Sequence, residues 1–234
     1  MVDVTLWFAL GTVGMALGTA VLLYGLRFVP GTERRDYAIL IAVPGIAFVA
    51  YVLMALGMGG VRSAVGGIVF LPRYVDWLLT TPLHILFLGL IAGASRGLIT
   101  RAAGLQAATI VLGMIGAFVG SPLKWVFYVA GSLAFGVVVY YAYRGFDDAA
   151  RDRSGTRFAL FRKLRAFLVV LWLVYPVIWL VGPNAVQLMD VETTALVVSY
   201  IDIVAKVGFG LIALDGYHTT AGTETESSAG VPSD

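Results

Sequence analysis

The sequence predicts an all-α membrane protein, a seven-transmembrane-helix bundle with its N-terminus extracellular and its C-terminus cytoplasmic. Three observations predict it. The 234 residues are 59% hydrophobic and only 13% charged, whereas soluble domains sit near half apolar and a quarter charged. Seven apolar runs are long enough to cross a bilayer, which takes about 20 residues each. Basic residues gather in alternate loops.

The runs fall at 4–27, 36–57, 72–93, 98–119, 122–144, 158–181 and 191–216. The first starts after Met1-Val2-Asp3 with no positive stretch before it and no small-residue cleavage site after it, so a retained helix is expected rather than a signal peptide. Gly and Pro separate the runs, as at Pro30-Gly31, Ser95-Arg96-Gly97, Gly120-Ser121-Pro122 and Gly182-Pro183-Asn184, because each ends or redirects a helix. Between runs two and three, Gly59 to Phe70 has the length for a small hairpin outside the bilayer. Twelve of the sixteen Lys and Arg lie in or beside loops 1, 3 and 5; Arg62 and Lys124 are assigned to loops 2 and 4, and loop 6 has none. The positive-inside rule then sets the orientation. Residues 1–218 read as one transmembrane domain and 219–234, rich in Ser, Thr, Glu and Gly, as a disordered cytoplasmic tail. The location implied is the cell membrane, multi-pass.

Composition also excludes functions. There is no cysteine, and the two histidines, His84 and His218, lack a second ligand at metal spacing. A net charge of +2 without a continuous basic face argues against nucleic acid. No nucleophile–base pair or metal cluster suggests an enzyme.

Besides charges at or beside the loops, Arg73, Asp76, Asp202 and Lys206 lie inside the apolar runs. One unpaired charge at mid-bilayer costs about 2.5–3.5 kcal/mol on insertion scales, so the four are expected to pair as a neutral quartet and to mark a functional site. Asp202 and Lys206 are i, i+4 on run seven, while Arg73, Asp76 and Thr80 share a face of run three. Lys206 sits at least ten residues from either end of its helix, roughly 15 Å or more, too deep to snorkel. A structural ion-pair network is one reading. The other is a buried amine that forms a Schiff base with an aldehyde. Aromatic residues favour the second. Trp172, Tyr175, Pro176 and Trp179 form a stripe on run six, and Trp77 with Thr81 a pair on run three. Such a stripe can be plain packing, but beside a buried amine it suits a flat conjugated ligand.

These residues carry a resemblance to the microbial rhodopsins that covers the entire chain. Arg73-Tyr74-Val75-Asp76-Trp77-Leu78-Leu79-Thr80-Thr81-Pro82-Leu83 resembles the third-helix signature, Trp172-Leu173-Val174-Tyr175-Pro176-Val177-Ile178-Trp179 the sixth, and Asp202-Ile203-Val204-Ala205-Lys206-Val207-Gly208-Phe209-Gly210 the seventh. The resemblance implies all-trans retinal bound to Lys206 as a protonated Schiff base, Asp76 as main counterion and proton acceptor, Asp202 as second counterion, and Arg73 holding an extracellular water network. It further implies that Trp77, Trp172, Tyr175 and Trp179 wall the polyene, that Tyr51 lies near Asp202, and that Thr81 and Gln106 link helices three and four.

The family contains pumps and sensors. Proton-pumping members carry a carboxylate donor eleven residues after the acceptor aspartate; here that position is Phe87. Their extracellular glutamate pair is matched by Asn184 and Thr194, with Glu192 two residues earlier. Phe87, Tyr200 and Asp215 match sensory rhodopsin II, which signals through a two-helix membrane transducer, and Tyr200 corresponds to a transducer contact. Ala205, where such sensors have Thr or Ser, is pump-like, a mixture similar to the middle rhodopsins. The resemblance thus implies a retinal light receptor in a lipid bilayer, with a transducer partner and room for a homo-oligomer; a light-driven outward proton pump is the alternative. His84, eight residues after Asp76, reads either as a group tuning retinal geometry or proton return, or as a histidine bonded to a neighbouring helix.

Overall fold

A computed structural model describes residues 4–217. The expected disordered tail, 219–234, lies outside the described residues, as does His218.

Among the described residues, seven helices are long and apolar enough to cross a membrane: spans 1 (Val4–Phe28), 2 (Gly31–Ala55), 3 (Leu71–Ala92), 4 (Arg96–Phe118), 5 (Leu123–Ala150), 6 (Gly155–Val181) and 7 (Val191–Tyr217). Their order and bounds follow the apolar runs within a few residues, except at span 5. Burial ranks them by position. Over their most apolar stretches span 3 is 56% buried and span 4 only 17%, so span 3 runs through the middle of the bundle and span 4 along its outside.

Helix ends follow local chemistry. Ser95 and Asp190 accept the backbone N–H groups of Leu98 and Thr193 at the starts of spans 4 and 7. The Thr193 N–H also holds the Asp190 carboxyl below the usual carboxylate range. Span 3 ends on Gly93 at φ 72°, a left-handed position that suits glycine. The expected hairpin is present. β1 (Gly60–Arg62) and β2 (Ile68–Phe70) pair antiparallel with Val61 opposite Val69.

Two irregularities shape the interior. Span 6 is broken at Leu173, between helices Gly155–Trp172 and Val174–Val181. Pro176 has no N–H for the Trp172 carbonyl one turn back, which frees the backbone to bend there. In span 7 the segment Val204–Gly208 is a π-helix, a one-residue widening that contains Lys206.

Most basic residues of the fifth loop are exposed, but Arg157 and Arg165 are drawn into contacts with other spans. Span 5 continues through Gly145–Ala150 because Phe146 and Ala150 are fully buried there. Arg165 is buried, ion-paired to Asp147, with its guanidinium 4.1 Å from the Tyr143 ring centre. Arg157 pairs with Glu33 at the foot of span 2. These two arginines fasten span 6 to spans 5 and 2; Lys163 and Asp215 form only an exposed pair at 3.8 Å.

Candidate functional site

Spans 3 and 7 approach each other at Lys206. Its Nζ lies 2.6 Å from Asp76 Oδ2 and 3.4 Å from Asp202 Oδ2, and all three side chains are at most 3% exposed. The two carboxylates differ in what else holds them. Asp202 accepts from the hydroxyls of Tyr51 (2.8 Å) and Tyr175 (2.6 Å) and from Trp77 Nε1 (3.2 Å). Asp76 accepts from Lys206 and, at 3.2 Å, from Thr80 Oγ1, which is also 2.8 Å from the Asp76 backbone carbonyl. Four donors on one carboxylate and two on the other make Asp202 the better-held anion.

The expected quartet is therefore a triad. Arg73 is buried, yet it forms no ion pair with Asp76 or Asp202 among the described residues, and its Nε and Nη2 meet no acceptor. Its guanidinium lies 5.4 Å and 5.7 Å from the ring centres of Phe8 and Phe70. Shared helical spacing put it on the right face of span 3, but one turn too far toward the hairpin end to reach the carboxylates.

Lys206 opens on a cavity of about 170 Å3. Trp77, Thr81, Gln106, Trp172, Tyr175 and Trp179 line it. Gln106 Nε2 donates to Thr81 Oγ1 at 3.2 Å, so the expected link between spans 3 and 4 is present. Trp179 donates to the Gly113 carbonyl at 3.1 Å and stacks on Tyr128 at 5.0 Å. His84 lines the cavity on the arginine-rich side. Its Nδ1 is 2.9 Å from the Thr80 carbonyl of its own helix, and the ring also lies beside the Ala205 backbone of span 7. Tyr200 stands apart from this group, 68% exposed on the outer face of span 7.

Several site residues were invisible in the sequence. Tyr128, Ser132 and Phe135 of span 5 and Thr109, Ile110 and Gly113 of span 4 complete the wall. These types are ordinary in any apolar helix, and nothing in their spacing says which side faces inward. Lys124, assigned to loop 4, is buried and donates to the Asn184 carbonyl at 2.9 Å. Asn184 in turn takes a bond from Ser63 and gives one to the Ile68 carbonyl, so loop 6 and the hairpin close that end of the cavity together. Gly11 was also missed: a Cβ there would overlap the Tyr51 ring that bonds Asp202.

An amine sealed from water, held by anions and opening on a slot walled by indoles, fits a long conjugated aldehyde and defines the class, a membrane-embedded chromophore protein. The comparisons with known proteins agree. The family model described as bacteriorhodopsin-like protein matches residues 3–220. Sensory rhodopsin-2 of Haloarcula vallismortis is 54% identical over 215 residues, covering 92% of this chain and 91% of the relative. Sensory rhodopsin-2 of Natronomonas pharaonis is 41% identical, covering 100% of this chain and 98% of the relative. Among solved structures, the thermophilic rhodopsin from Rubrobacter xylanophilus superposes with a TM-score of 0.89 at 30% identity, covering 92% of this chain and 96% of that one. The chain belongs to the bacteriorhodopsin-like family. It is a retinal-binding light sensor of the multi-pass membrane type, and Lys206 is the buried lysine that carries retinal as a Schiff base.

Proposed function

We propose that light shifts a proton from Lys206 to Asp76 and that the resulting long-lived state signals through a two-helix membrane transducer. The observation that carries the reading is the 2.6 Å contact between Lys206 Nζ and a carboxylate with few other donors. Bound retinal supplies absorption of visible light and a change of shape about one of its double bonds. The residues supply the rest. An N–H bond at Lys206 breaks, an O–H bond forms on Asp76, and the ion pair becomes two neutral groups. Asp202, clamped by Tyr51, Trp77 and Tyr175, keeps its charge and holds the lysine end in place. Trp77, Trp172, Tyr175 and Trp179 orient the polyene, and Thr81 with Gln106 fixes span 4 against it. Arg73 orders the end of the cavity next to the hairpin.

Phe87 stands where a proton-returning carboxylate would be, fully buried against Phe209 at 5.8 Å. Slow return lets a signalling state accumulate. Tyr200 and Leu196, one turn apart and exposed on span 7, with Val174 and Val177 on span 6, offer the transducer a face. The arginine-rich end is read as cytoplasmic. The pump reading retains one observation, Ala205 before the lysine, which leaves Tyr175 bonded to Asp202 rather than to a neighbouring hydroxyl.

The test is illumination of vesicles containing the protein while external pH and visible absorbance are recorded. A deprotonated state lasting far longer than in a pump, without sustained proton export, supports the receptor. Sustained export rejects it.

A further inference from the structure

We propose that His84 is the group through which a proton returns to Lys206. This rests on the reading that Lys206 first gives its proton to Asp76. His84 lies on span 3, eight residues beyond Asp76 toward the arginine-rich end, about 12 Å along the helix at 1.5 Å per residue. It lines the same cavity as Lys206 and is 2% exposed. Asp76 and His84 therefore face the lysine from turns of span 3 that lie about 12 Å apart along its axis.

The ring's surroundings suit a proton that is held briefly. Nδ1 is 2.9 Å from the Thr80 carbonyl. A carbonyl only accepts, so Nδ1 carries the hydrogen, and in the neutral ring Nε2 is a bare lone pair. Nε2 is buried without a hydrogen-bond partner among the described residues, and the backbone of Ala205, the residue before Lys206, lies beside the ring. A second N–H, present only in the imidazolium, gives that side of the ring a donor. The rings of Trp172 (5.9 Å) and Phe209 (4.9 Å) stand nearly perpendicular to the imidazole, and aromatic neighbours tolerate a cation better than aliphatic ones.

Charge decides the timing. Among the described residues, the charged groups that act on the ring are Lys206 and Asp202, of opposite sign. While Lys206 is cationic it opposes a second cation at His84. Once its proton is on Asp76 the opposition ends, whereas the Asp202 anion stays. His84 Nε2 then takes a proton from water on the arginine-rich side. Its N–H bond breaks as the lone pair of the Lys206 nitrogen accepts the proton, and the ring is neutral again. One proton is taken from that side for each one returned, and Asp76 gives the proton it accepted back to water on the same side as the dark state re-forms, so the cycle closes with Lys206 protonated, Asp76 anionic and no net export. Phe87, too apolar for this task, is the next turn of the same helix.

The chain has two histidines, so a His218→Gln protein labelled with ring-15N histidine reports on His84 alone. Its light-minus-dark infrared difference spectrum is expected to show 15N-sensitive bands of a doubly protonated ring, which rise after the deprotonated state forms and vanish as the dark state recovers. His84→Gln should form pigment and slow recovery by roughly 100-fold, the scale of one general acid–base group, with speed restored in proportion to added azide, a small weak acid that carries protons. Absence of 15N-sensitive bands overturns the inference, as does a His84→Gln recovery that is unchanged or insensitive to azide. A protonated Asp76 carboxyl band that never appears in the wild type sinks the underlying reading and this inference with it; normal Asp76 protonation with a silent His84 sinks the inference alone.

Discussion

Replacing Asp76 with Asn removes the carboxylate 2.6 Å from Lys206 Nζ and leaves Asp202 at 3.4 Å. With an effective dielectric constant near 20, these contacts are worth roughly 6 and 5 kcal/mol. The new amide can return a hydrogen bond of about 1 kcal/mol. The substitution therefore strips some 4–5 kcal/mol of gross stabilisation from the positive charge on the Lys206 nitrogen. Visible excitation draws that charge away from the nitrogen, so the lost stabilisation applies mainly to the ground state. The gap should narrow by a part of it, on the order of 2–3 kcal/mol after Asp202 and the surroundings readjust. Asp76→Asn should then absorb well to the red of the wild type, and its illumination should produce no deprotonated state. The assay is a visible spectrum of each purified protein. An unchanged maximum would refute the reasoning, because an anion at this distance cannot be removed without effect.

Further predictions concern the clamp and the fastenings. Tyr175→Phe removes a 2.6 Å donor from the buried Asp202 carboxylate and should cost about 1.5–3 kcal/mol, seen as a lower temperature of thermal bleaching; equal stability would mean the hydroxyl does not hold Asp202. Gly11→Ala pushes a methyl into the Tyr51 ring, at a cost of about 1–3 kcal/mol for overpacking, and should move the absorption maximum because Tyr51 positions Asp202. A destabilised protein of unchanged colour would show that span 1 does not act on the site. Arg165→Ala leaves Asp147 without its buried partner and uncovers Tyr143, so about 2 kcal/mol of stability should be lost, whereas Lys163→Ala, an exposed pair, should unfold like the wild type.

Much of this arrangement is legible in the residues. Seven runs of apolar side chains, interrupted by Gly and Pro, give seven spans because a bilayer leaves few other solutions. Lys206 and Asp202 were placed together by helical spacing, and Asp76 had to meet them because a lone charge in hydrocarbon is costly. The same logic overreached at Arg73, which has aromatic rings beside it and no ion pair with a carboxylate among the described residues. Spacing along one helix fixes a face, not a depth. The π-helix at Val204–Gly208 left no trace, since no Pro lies in it and the apolar run continues through it unbroken. Span 5 outran its apolar stretch because Phe146 and the Asp147–Arg165 pair, which join distant parts of the chain, continue it. The walls from spans 4 and 5 were hidden for the same reason: burial there is set by partners, not by residue type.

The central claim is that Lys206 itself bears the chromophore. Adding borohydride to the illuminated pigment, then digesting it and mapping the modified peptide by mass, addresses that claim most directly. A retinyl group fixed on Lys206, with Lys206→Arg colourless after retinal is supplied, is the expected result. A label on Lys124 or Lys163, or a coloured Lys206→Arg protein, would contradict it.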